Sequence, residues 1–147
     1  VRSTVQVLPR LLGATLLVIG AVVSAQWASS DNNHGFGPDA LSAINRYRLE
    51  RNLSPLKADH ALINLATRHS AAMADKKALS HSGFDARYAE SGRRLCLENV
   101  GWNYPTPEEQ VAAWRLSKGH DRNMLHPTIS RAGVARIDGY VTFIACD

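Results

Sequence analysis

The stretch Trp114-Arg115-Leu116-Ser117-Lys118-Gly119-His120-Asp121-Arg122-Asn123-Met124-Leu125 reads as a helix end followed by a turn that carries a histidine. Thr106-Pro107-Glu108-Glu109 opens that helix: Thr106 suits the cap, Pro107 the first turn, and Glu109 the far corner of a capping box. Val111 and Trp114, three apart, share its apolar face. Gly119 suits a left-handed helix end, which would leave His120 just past the helix and three residues after Ser117. A histidine held there is more rigid than one in an open loop, and it is expected to face His81 and Glu98.

Upstream, Asp39 to about Asn52 reads as a first helix, with Leu41, Ile44 and Tyr47 on one face. Asp59 caps a second, longer helix whose buried stripe is Leu62, Leu65, Ala66, His69 and Met73. His69 lies inside that stripe and reads as a hydrogen-bonded core histidine rather than a ligand. The helix gives out near Leu79, and the polar turn Ser80-His81-Ser82-Gly83 follows. Phe84 to Ser91 reads as a short helix, and Leu95 to Trp102 as a buried strand. Beyond Leu125, His126-Pro127 stops any helix. Residues 133–137 and 140–146 read as two strands joined by the hairpin dipeptide Asp138-Gly139. This order predicts an α+β fold: a small antiparallel or mixed sheet with helices packed on it.

The chain of 147 residues allows one domain, which is expected to span residues 39–147. Arg2 and Arg10 precede an apolar or small run from Leu11 to Ala25, and Val23-Ser24-Ala25 fits a small-residue cleavage site. Residues 1–25 therefore read as an export signal, and residues 26–38, polar and Gly-rich, as a tether. The alternative is an uncleaved membrane anchor, for which so short an apolar run is marginal. Arg2 and Arg10 account for two of the formal +4 charges, and no basic tract with interleaved aromatics points to nucleic acid. The cysteines are two, Cys96 and Cys146. In an exported chain an even pair favours one disulfide; two buried free thiols are the other reading. One pair of cysteines does not make a zinc framework.

His81, Glu98 and His120 stand at the ends of elements or in an apolar strand. A glutamate flanked by Leu97 and Val100 is costly to bury alone, so it needs partners, and imidazoles or a cation would serve. Two imidazoles and a carboxylate suit Zn²⁺ or a similar cation. The intervals match no compact ligand motif, and separate structural hydrogen bonds explain the three residues as well.

Several segments, in order, resemble one family. They are Asn45-Arg46-Tyr47-Arg48, then Leu53-Ser54-Pro55-Leu56 with Asp59, Leu62 and Ala66, then His81 and Glu98-Asn99. Trp114-x-x-Ser117-x-Gly119-His120-x-x-Asn123-Met124-Leu125 and Gly133-Val134 complete the series. From about Ala40 to Phe143 the chain resembles a bacterial member of the CAP superfamily, the SCP domain of cysteine-rich secretory proteins, antigen 5 and pathogenesis-related proteins. The resemblance implies a three-layer α-β-α sandwich with a small, mostly antiparallel central sheet. It also implies a cleft gathering two histidines and acidic residues. His81, Glu98 and His120 carry over. The second glutamate of many eukaryotic members is here Ser117. That leaves His81 and His120 as metal ligands, with Glu98 orienting a ligand or water, and with any divalent cation such as zinc held weakly.

The resemblance further implies binding of sterol-like, fatty-acid or other lipid ligands, or of partners at the cell surface. Trp102 and Trp114 could line such a cleft or simply pack the core. A metal-assisted hydrolase with Glu98 as base is the second reading, and an envelope scaffold binding cell-wall polymers through its loops is the third. Ser117 as a nucleophile has no nucleophile elbow to support it. A monomer, periplasmic or extracellular, is expected.

Overall fold

The computed structural model describes residues 33–147. The signal at 1–25, and the tether up to residue 32, lie outside the described residues. Helix α1 spans Asn33–Glu50, so residues 33–38 are its first turns rather than the end of a tether. The reward for helix there is burial of Phe36, with the Arg136 guanidinium 4.8 Å above its ring. That outweighs the poor helix propensity of Gly35, Gly37 and Pro38.

The order continues with strand β1 (Lys57–Ala58), helices α2 (His60–Lys76) and α3 (Phe84–Ser91), and strand β2 (Cys96–Trp102). Helices α4 (Pro107–Leu116) and α5 (Lys118–Met124) follow, then strands β3 (Arg131–Ile137) and β4 (Tyr140–Cys146). Asp59 caps α2 through its carboxylate, which accepts from the Ala61 and Leu62 amides. Thr106 caps α4 by accepting from the Glu109 amide. Asp138 and Gly139 both take positive φ, which is what a tight hairpin between right-twisted strands demands.

The sheet runs β1-β3-β4-β2, with β1 parallel to β3 and the other pairs antiparallel. Alternation along the strands sends Val141, Phe143, Ala145, Ala132 and Val134 to one face, where α1, α4 and α5 bury them with Ile44, Tyr47, Trp114 and Met124. The opposite face, with Ile144 and Ala135, receives Leu62, Leu65 and Ala66 of α2. The result is the three-layer α-β-α sandwich. Close approach is required at Gly133, where a Cβ would collide with the backbone of Leu62 and Ile63, so α2 lies directly on β3.

Cys96 and Cys146 stand opposite each other in the β2–β4 register, with Cα atoms 4.2 Å apart, and form the disulfide. The bond ties the last strand to the one that carries Glu98.

The chain differs from expectation at Ser117. An extended backbone there (φ −96°, ψ 114°) ends α4, and a new helix starts at once with Lys118. The Ser117 carbonyl accepts from the Asp121 amide at 2.8 Å, and Asp121 sits in the first turn of α5, where a carboxylate suits the helix dipole. Gly119 therefore does not end a helix in the left-handed region; it and His120 belong to the first turn of α5.

Two residues of the Asn-x-x-Arg motif act as staples. Asn45 holds both the amide and the carbonyl of Leu56. Arg48, almost wholly buried, donates from Nε to the Ser54 carbonyl and from Nη1 to those of Met124 and His126. They fix the loop before β1 and the end of α5.

Candidate functional site

Strand β2 forms one edge of the sheet, and its outward backbone groups would be unpaired without cover. Helices α4 and α5 supply that cover through side chains. Trp114 Nε1 donates to the Val100 carbonyl at 2.9 Å, and Asn123 Nδ2 donates to the Glu98 carbonyl at 3.1 Å. Asn123 also donates to Asn99 Oδ1, and Asn99 Nδ2 donates to the His120 carbonyl at 3.0 Å. The asparagines thus fix α5, and with it His120, against the strand that holds Glu98.

Glu98 points to the other face, toward α2 and α3. Only 2% of its side chain is exposed. Arg87 of α3 grips it side-on, with Nε 2.8 Å from Oε2 and Nη2 2.9 Å from Oε1. His81 Nδ1 lies 2.9 Å from Oε1, and since an ionised carboxylate only accepts, Nδ1 carries the proton. That leaves His81 Nε2, on a side chain 54% exposed, as the nitrogen open to a ligand. The carboxylate that fixes the tautomer and tilt of an imidazole in this way is the usual support of a metal-binding histidine.

His69 is buried beside them, 3.7 Å from Glu98 Oε1, and donates from Nε2 to the Ser80 carbonyl at 2.7 Å. It is the hydrogen-bonded core histidine expected, although its nearness to Glu98 was not. Burial lowers its pKa below the ordinary histidine value, against the opposing charge of Glu98. His120 is lowered too, first by burial and then by the charge of His81.

A buried Glu98 needs a partner, and beside the His81 imidazole its principal partner is Arg87. Its signal was faint: an arginine in the short helix between His81 and Glu98, once a buried carboxylate is granted. Glu90 is bonded elsewhere, to Arg68 on the surface.

A groove of about 320 Å³ opens beside this cluster, lined by Leu79, Val100, Gly101, Trp102, Tyr104, Gln110, Ala113, Trp114, Ser117 and His120. Leu79, Trp102 and Tyr104 are exposed, and Trp102 leans on Tyr140 with ring centroids 5.8 Å apart. Ser117 and His120 both line it, whereas His81 and Glu98 do not. The two tryptophans divide: Trp114 is core as well as wall, while Trp102 is rim.

The donor set can be tested against a metal. No group of three or more His, Cys, Asp and Glu side chains comes together to hold a cation among the described residues. Glu98 is committed to Arg87 and His81, and Ser117 offers no carboxylate. A closed four-ligand zinc site therefore does not fit.

Comparison with known proteins places the chain. The model of the cysteine-rich secretory protein family, CAP, matches residues 41–147. The uncharacterized protein YkwD of Bacillus subtilis (strain 168) is 31% identical over 131 residues, covering 76% of this chain and 49% of that protein. The chain thus spans about half the length of this curated relative. An extracellular protein containing an SCP domain from Bacillus anthracis superposes with a TM-score of 0.74 at 24% identity, over 78% of this chain and 41% of that one. A cysteine-rich secretory protein from Staphylococcus aureus gives 0.72 at 16%, over 80% and 40%. An outer surface protein from Borrelia burgdorferi gives 0.64 at 19%, over 74% and 87%. These three establish the fold; the family match over most of the chain, with the Bacillus subtilis relative beside it, makes the chain a bacterial-type member of the CAP (cysteine-rich secretory protein) family.

Proposed function

We propose that the protein is an exported binding protein whose cleft takes a small amphipathic or lipid-like ligand. The apolar part of the ligand lies in the groove between Leu79, Trp102, Tyr104 and Trp114. At the polar end, His81 and His120 hold a divalent cation such as zinc weakly, with Glu98 orienting His81. The observation that carries this reading is the groove itself: an apolar trough with exposed aromatic rims ending at His120 and Ser117. Export rests on the apolar run from Leu11 to Ala25 after Arg10 and on the disulfide. No helix among the described residues is long and apolar enough to cross a membrane.

Binding is favoured over hydrolysis by the state of Glu98. A general base must reach a water or substrate proton, and Arg87 and His81 already engage both its oxygens.

Native mass spectrometry of the protein purified from its own host tests the reading. The wild type should retain a small apolar molecule. The variant Ala113→Phe, which fills the groove, should carry none while unfolding at a similar temperature. Absence of any adduct from the wild type, or equal retention by the variant, would refute the groove as the ligand site.

A further inference from the structure

The floor of the groove holds a polar side chain with no partner. Gln110, on α4 one turn before Trp114, is 0% exposed. Neither its Nε2 nor its Oε1 makes a hydrogen bond among the described residues. The carboxamide lies against Gly101 of β2, in the space where a Cβ on that residue would collide with it. Burying a donor and an acceptor unpaired costs free energy that Met or Leu at this position would avoid at nearly the same volume. The neighbouring indole, by contrast, is satisfied by the Val100 carbonyl. Its two polar atoms are the only buried side-chain ones left without a partner among the described residues, which is what a recognition group looks like before its ligand arrives.

The other lining groups define what it would recognise. No Lys, Arg, Asp or Glu lines the groove. With no cation at His120, a charged head drawn in beside Gln110 would be stripped of water without a counter-ion, whereas a neutral amide has only hydrogen bonds to replace. A carboxamide offers one donor and one acceptor in a plane, and another amide returns the complement with two parallel hydrogen bonds. The exposed rings of Trp102 and Tyr104 share the wall with Gln110. Their displacement would admit the head group.

We propose that Gln110 is the polar recognition residue of the cleft and that its ligand is an apolar chain bearing a neutral amide. This rests on the reading of the groove as a ligand site and narrows the class of ligand.

The test uses octanamide, octanoate and 1-octanol, which share one chain length and differ at the head. Each is titrated into the full chain by tryptophan fluorescence, Trp102 and Trp114 being the reporters. Excess EDTA keeps cations out of the comparison. Octanamide should bind the wild type about tenfold more tightly than 1-octanol, as two modest hydrogen bonds allow, and more tightly still than octanoate. In Gln110→Met the preference should vanish while 1-octanol binds as before, and the melting temperature should stay level or rise. The preference is a ratio of affinities measured on folded protein, so a change in stability does not produce it. Equal binding of the three probes by the wild type, or a preference that survives in Gln110→Met, would overturn the inference while leaving the groove reading intact. A lower melting temperature for Gln110→Met would overturn it as well, since the amide would then have an internal partner. Failure of all three probes to bind would take down both readings.

Discussion

Replacing Arg87 by Met should destabilise the protein by about 3–5 kcal/mol in urea unfolding, because it strands a buried charge rather than merely removing a bond. Glu98 has 2% of its side chain exposed and Arg87 13%, so little water reaches the pair. The double variant Arg87→Met with Glu98→Gln should recover a large part of that loss; an additive loss would mean that the two do not act as a unit. The histidines give this cluster a pH dependence. His69 and His120 both have pKa values lowered by burial, so in the folded state they take up protons only at lower pH than in the unfolded chain. Between those values the unfolded state binds more protons, and stability rises with pH. The full stability is therefore present above about pH 6.5, the ordinary histidine value, and is lost as pH falls below it. His69→Gln should flatten the fall in melting temperature between about pH 7 and pH 5; an unchanged slope would show that His69 does not drive it.

At the scale of elements, the disulfide joins two strands that already pair, so its contribution lies in the unfolded chain. Closing a loop of 50 residues is worth about 4 kcal/mol in the chain-entropy model. Cys96→Ala with Cys146→Ala should lower the unfolding free energy by roughly that amount, and a loss under about 1 kcal/mol would contradict the model. Elements with chemical punctuation were legible in the sequence. Asp59 and Thr106 cap helices as their side chains suggest, and Asp138-Gly139 turns the hairpin. Elements set by tertiary contact were not. Ser117 stands at the cap position of α5, which serine suits, but its side chain makes no cap bond and Gly119 two residues on reads as a helix end; β1 has only two residues, too few for any periodicity. The first turns of α1 carry two glycines and a proline, and only the burial of Phe36 explains their helical state.

Across the whole molecule, the proposed site draws on all three layers, though only Ser117 and His120 of its residues line the groove. His81 and Arg87 come from the α2–α3 side, Glu98 from the edge strand, and Ser117 and His120 from the α4–α5 cover. His81, Glu98 and His120 are candidates through the order of motifs rather than through spacing, since their separations match no compact site. Arg87 was not, because α3 buries no residue fully and shows no periodic signal. Gln110 was hidden for the opposite reason: on an amphipathic helix a glutamine reads as surface, and only the packing of α4 on β2 puts it inside.

His81 and His120, carried by opposite layers, are proposed to act as one site beside the groove. Calorimetric titration of Zn²⁺ into wild type, His81→Ala and His120→Ala measures this most directly. Weak, reversible binding is expected for the wild type, fading as pH falls through the histidine range because only the neutral imidazole ligates. Each alanine variant should lose it while remaining folded. Equal heats from the wild type and His120→Ala would contradict the account, for His120 would then be structural and the two histidines separate.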